Sequence, residues 1–114
     1  MQESCQMVKE GLLVKIKGEL DLTCASSLRD RLDHELKKSG TRHLILDLGG
    51  VSFIDSSGLG VILGRYRMLA PIGGKISIRN CNAQVYRILE ISGLTRIMLV
   101  ERSGLSKRAK EGRS

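Results

Sequence analysis

HLILDLGGVSFIDSSGLGVIL, residues His43 to Leu63, carries the reading on which the rest of the chain depends. It opens with the most continuous apolar run of the sequence, His43 to Leu48. That run is too short for a helix and meets Gly49-Gly50, so it reads as a buried central strand. Val51 and Phe53 lead into Asp55-Ser56-Ser57-Gly58-Leu59-Gly60. From Gly58 onward Leu59, Ile62, Leu63, Tyr66 and Leu69 recur at helical spacing, and Pro71 and Gly73-Gly74 stop them. The turn between strand and helix holds an acid, two hydroxyls and two glycines, more chemistry than a connection requires.

Upstream, Leu12, Val14 and Ile16 alternate with Leu13, Lys15 and Lys17, a half-buried strand opened by Glu10-Gly11. Cys5 and Met7 offer it a short hairpin partner. Gly18 to Leu22, GELDL, breaks the alternation. Thr23 can cap a helix whose apolar stripe is Ala25, Leu28, Leu32 and Leu36, with Asp30, Arg31, Asp33 and Lys37 on its other faces. Lys37 and Lys38 suit its C-terminal dipole, and Ser39-Gly40 ends it. Downstream, Lys75 to Ile78 reads as a strand, Val85, Ile88 and Leu89 as a helix ending near Gly93, and Ile97 to Val100 as a last strand. Strands alternating with helices predict an α/β fold: one domain over residues 1–100, with a mixed, mostly parallel sheet of four to five strands and helices packed against it. Residues 101–114 form a basic tail without an apolar stripe, expected to be mobile.

Composition narrows the function. The 114 residues are 41% hydrophobic but only 3% aromatic, so one core is built from Leu, Ile and Val. No apolar run approaches the roughly 20 residues of a membrane span. The N-terminal residues MQESCQMVKE lack the character of a signal peptide, and the expected location is the cytoplasm. Cys5, Cys24 and Cys81 have no CxxC spacing, and with His34 and His43 alone a zinc site has little material. The net charge is +7, of which the tail supplies +3. Basic residues are not interleaved with aromatics, so no direct nucleic-acid contact is expected.

Several readings compete for the turn. Ser56 or Ser57 can cap the helix, which accounts for one serine. Gly58, Gly60 and Gly64 spell GxGxxxG, but the turn follows a mid-chain strand and no acid for a ribose ends the next strand. The glycines can equally allow close packing of helix on sheet. GxSxG is absent, and His43 belongs at the opposite sheet edge, which leaves no catalytic triad. Gly73-Gly74-Lys75 is not a P-loop. An exposed serine at a helix N-terminus is, by contrast, open to a kinase. A phosphate there adds roughly −1.5 to −2 charges. The helix dipole favours an anion by about 0.3–1 kcal/mol. The fold should therefore tolerate the phosphate. A partner covering it would lose about 3 kcal/mol, roughly a hundredfold in binding. Either Ser56 or Ser57 suits this chemistry.

DLGGVSFIDSSGLGVILGRYRML strongly resembles the signature of the anti-sigma factor antagonist family, whose fold is the STAS domain. KGELD at Lys17 to Asp21, IGGKISI at Ile72 to Ile78 and ISGLTRI at Ile91 to Ile97 extend the resemblance over most of residues 5–100. SSGLGVILGRY is similar to the branch of anti-sigma F factor antagonists in endospore-forming bacteria. The resemblance implies a regulatory protein of sporulation transcription, without catalytic residues, metal or cofactor, and a monomer when free. Its unphosphorylated form would bind an anti-sigma factor that is also a serine kinase, with ATP held by that partner, and so free a sigma factor. It implies phosphorylation on the second serine of DSSG, Ser57, and reversal by a serine phosphatase. Asp21, Asp55, Ser56 and Gly58 map onto the partner surface; Leu59, Ile62 and Arg65 follow on the helix, where Leu59 and Ile62 could equally be core. Members of the family often end in a further amphipathic helix, whereas this chain ends in ERSGLSKRAKEGRS. The alternative is a STAS module acting on a general stress anti-sigma factor, or as a scaffold.

Overall fold

In the computed structural model, residues 1–104 are described, and the tail from residue 105 lies outside the described residues. The elements are β1 (Gln2–Val8), β2 (Gly11–Leu20), α1 (Leu22–Ser39), β3 (His43–Ile54), α2 (Ser56–Leu69), β4 (Lys75–Cys81), α3 (Ala83–Ile91) and β5 (Leu99–Arg102). Single 3-10 turns, Ala70–Ile72 and Leu94–Arg96, follow α2 and α3. The five-stranded sheet runs in the order β1-β2-β3-β4-β5. The β1–β2 hairpin is antiparallel and the remaining pairs are parallel. All three helices pack on one face of the sheet, as crossovers of one hand between sequential parallel strands require.

One core joins that face to the helices. Leu12, Val14 and Ile16 of β2, Leu44, Leu46 and Leu48 of β3, and Ile76 and Ile78 of β4 pack there. Leu28, Leu32 and Leu36 of α1 meet them, as the apolar stripe required, with Val85 and Leu89 of α3. Burying one such Leu contributes about 1.5–3 kcal/mol. α1 ends at Gly40, whose φ of 71° is left-handed and whose N–H donates to Leu36 O at 3.0 Å; a glycine takes that geometry without strain.

The central strand departs from expectation. Gly49-Gly50, read as its end, lies inside a 12-residue β3. Against β2 the pairing slips twice, between Lys15 and Lys17 and between Gly18 and Glu19. At each slip β3 holds one residue more than its partner, which is a β-bulge. Each bulge moves the core-facing position one residue along. The buried series is therefore Leu44, Leu46, Leu48, then Val51, then Ile54, and Phe53 is thrown outward with 41% of its surface exposed. GELDL likewise does not break β2, which continues to Leu20 with a bent register. The last strand begins at Leu99, later than the Ile97 expected, and runs to Arg102, past residue 100.

Candidate functional site

Leu20 pairs with Ile54 where β2 and β3 end, so the residues that follow them, Asp21 and Asp55, start two helices side by side. Both have extended backbones, with φ −127° and ψ −175° at Asp21 and φ −107° and ψ −173° at Asp55. That geometry turns a short carboxylate back onto the first free N–H groups of the helix. Asp55 Oδ1 accepts from the N–H of Ser57 at 2.8 Å and of Gly58 at 3.1 Å. The Asp55 N–H donates to Leu20 O at 3.1 Å, which pins the turn to the end of β2. At α1, Asp21 Oδ1 accepts from the Thr23 N–H at 3.1 Å and the Thr23 hydroxyl at 2.6 Å. The hydroxyl bond is the chief reason that the Asp21 carboxyl is held below the usual carboxylate range. The caps expected from Ser56 or Ser57, and from Thr23, are thus supplied by the aspartates instead.

This leaves the serines unoccupied as caps. Ser56 is exposed and Ser57 half-buried. Neither hydroxyl has a hydrogen-bond partner among the described residues; around Ser57 it is the backbone N–H that is held. Gly58 is buried, and a Cβ there would lie 2.5 Å from Leu20 O and 2.8 Å from Leu20 Cβ. The close packing expected of glycine therefore applies at Gly58. It does not apply at Gly60 or Gly64, where a Cβ would meet nothing within 4 Å.

The residues that follow divide. Leu59 is partly buried against the core. Ile62 is fully buried, so of its two readings the structure gives the core, and it offers no surface to a partner. Arg65 points between the helices rather than outward: its side chain is 9% exposed, and Nε lies 3.1 Å from Asp33 Oδ1 of α1. Asp33, placed by periodicity on the polar side of α1, thus faces α2. Neither atom of this ion pair has hydrogen-bond geometry, and Arg65 Nη1 is buried without a partner among the described residues.

Between α1 and α2 runs a groove of about 320 Å³, lined by Leu22, Ala25, Ser26 and Arg29 on one side and Ser57, Gly60, Val61 and Arg65 on the other. Leu22, with 75% of its surface exposed, and Arg29 line this groove and were not singled out by sequence reasoning. Leu22 lies three residues before Ala25, in line with the stripe, yet in the first turn of α1 it stays exposed. No signal in the sequence marks Arg29, one charge among several on that helix. A dinucleotide crevice needs a point where strand order reverses, and β2 to β5 follow one direction. No helix among the described residues is long and apolar enough to cross a membrane.

A STAS domain model matches residues 4–106. The chain is 40% identical to the "Anti-sigma F factor antagonist" of Paenibacillus polymyxa, over 76% of this chain and 74% of that protein. To the "Anti-sigma-B factor antagonist" of Bacillus subtilis it is 36% identical, over 75% of this chain and 76% of that one. In fold it is similar to the anti-sigma factor antagonist SpoIIAA in its unphosphorylated form, with a TM-score of 0.71 at 21% identity over 99% of both chains. The phosphorylated form of the Bacillus protein SpoIIAA superimposes with a TM-score of 0.69 at 24% identity, over 99% of this chain and 100% of that one.

Proposed function

The chain belongs to the anti-sigma factor antagonist family of STAS domain proteins, and from that premise we propose that it is a binding switch rather than an enzyme. The unphosphorylated protein binds an anti-sigma factor with serine kinase activity, in the cytoplasm, and frees a sigma factor of sporulation. ATP belongs to that partner; a serine phosphatase restores the binding form. Ser57 is the residue phosphorylated. The observation that supports a serine of this turn is that Asp55 already holds its backbone, which leaves both hydroxyls without partners among the described residues; the choice of Ser57 over Ser56 follows the family resemblance. Capping by Asp55 leaves the hydroxyl available for transfer, and the fold does not need it. Asp21, Asp55, Ser56 and the exposed part of Leu59 form the surface that a partner covers; Gly58 is buried beneath it and lets α2 approach the end of β2, while Arg65 supports it from below. A phosphate on Ser57 would have to be desolvated by that partner, which weakens binding by about a hundredfold without a change of fold.

Intact mass after incubation with ATP and the cognate anti-sigma kinase tests this in wild type, Ser56→Ala and Ser57→Ala. One phosphate, lost only in Ser57→Ala, is expected. No phosphate on the wild type, with a kinase shown active on another antagonist, would refute it. A second reading has its own support, the 36% identity to an anti-sigma-B factor antagonist. Binding measured against several anti-sigma kinases of one genome separates the two: preference for the general stress partner would replace sporulation by the stress response, and binding to none would favour a scaffold.

A further inference from the structure

The groove beside Ser57 ends on a charge that the fold leaves incompletely matched. Arg65 is more than nine-tenths buried, yet its Nη1 has no partner among the described residues and its Nε meets Asp33 at 3.1 Å without hydrogen-bond geometry. A buried guanidinium normally fills its donor set, since each unmet bond costs about 1–3 kcal/mol. Across the groove stands Arg29, half exposed, whose Nη2 donates to Ser26 Oγ at 3.2 Å and whose Nε donates to Asp30 Oδ1 at 3.3 Å in a surface ion pair. The first turn of α2, with Ser57 in it, lines the same groove. The space beside Gly60 is open, since a Cβ there would meet nothing within 4 Å. A helix interior loses about 1 kcal/mol with Gly in place of Ala, and packing within this chain gives no reason for that loss.

We propose that this groove is the seat of the phosphate: a phosphoryl group on Ser57 lies between α1 and α2, bonded by Arg29 and reaching toward Arg65. This rests on the phosphorylation reading of Ser57 given above. Guanidinium groups bind phosphate oxygens in forked pairs, and such bonds are about twice as strong as neutral ones. The phosphate then does two things at once. It adds charge to the partner surface, and it fills the groove that Leu22, Gly60 and Val61 line. Asp55 on the same turn, with Asp30 and Asp33 on α1, opposes the anion, so the arginines act against a local negative field.

The test uses full-length protein with phosphoserine encoded at position 57, so that it does not depend on any kinase. Phosphorus NMR follows the second ionisation of the phosphate, near pH 6 for phosphoserine. Removing a neighbouring cation raises that midpoint. In R29A it should rise by about half a pH unit at low salt, and less at 1 M salt. R65K, which keeps the charge but not the fork, should rise by less. R67A removes an exposed charge from the last turn of α2 and sets the background. A rise in R29A or R65K above that of R67A supports the seat. Both titrating like R67A would overturn it. If no kinase modifies Ser57, the switch reading fails while this measurement still stands.

Discussion

The starts of α1 and α2 are near copies of one another. Each follows a parallel strand at the same sheet edge, each is capped by an aspartate with extended backbone, and each has a hydroxyl residue two positions after the cap. They differ in what that hydroxyl does. Thr23 gives its hydroxyl to the cap at 2.6 Å, whereas Asp55 takes two backbone N–H groups and leaves the Ser57 hydroxyl alone. The same capping chemistry thus makes one helix start a closed structural joint and leaves the other with a half-buried hydroxyl that has no partner among the described residues. A cap is read from what the carboxylate accepts, and a site from what it leaves over.

The largest expected contrast is covalent. Ser57→Ala should abolish phosphate transfer, while Thr23→Ala should retain it; equal loss in both, by intact mass, would erase the distinction between the two joints. Next is Gly58→Ala. Its Cβ would drive into the Leu20 carbonyl and side chain, and overpacking against backbone should cost about 3 kcal/mol in urea unfolding. Asp55→Ala removes the acceptor of two N–H groups and should cost about 1–2 kcal/mol by the same measurement; no change would mean that a serine takes over the cap. Gly60→Ala should go the other way, stabilising by about 1 kcal/mol, because nothing obstructs the added methyl. The smallest effect is at Asp21. Its carboxyl is held low, mainly by the Thr23 hydroxyl. A depressed folded value contributes stability above the ordinary Asp range, and that contribution disappears as pH falls through the folded value. Stability measured downward from pH 5 should fall less steeply in Asp21→Asn than in wild type, and parallel curves would show that the bond to Thr23 has no thermodynamic weight.

Much of this was legible in the sequence because it rests on period. The alternation of Leu12, Val14 and Ile16 and the stripe of Leu28, Leu32 and Leu36 each bury the side that their spacing indicates. The order of strands and helices followed, and with it the position of DSSG at the sheet edge. What escaped was set by partners distant in sequence. A pair of glycines looks the same at the end of a strand as inside a bulge; only the register against β2 decides, and Phe53 is outside as a result. The choice of Asp over Ser or Thr as cap depends on backbone angles fixed by the ends of β2 and β3. Arg65 looked like surface until α1 supplied Asp33. The candidate residues therefore come together at the starts of α1 and α2, while their individual orientations needed the second helix.

The sequential strand order has one more consequence, in how the chain reaches this state. Among the described residues every strand pairs with the one made just before it, so no pairing waits for a distant segment, and each loop to be closed is the β1–β2 turn or one helix and its turns. That is a low contact order for a mostly parallel sheet, whose pairing is otherwise slow and exposed to aggregation. Synthesis runs from the N-terminus at about 5–20 residues per second, and each emerging unit has its template already in place. The sheet is built like a wall laid course upon course, with the DSSG turn set at its middle before the last strand arrives.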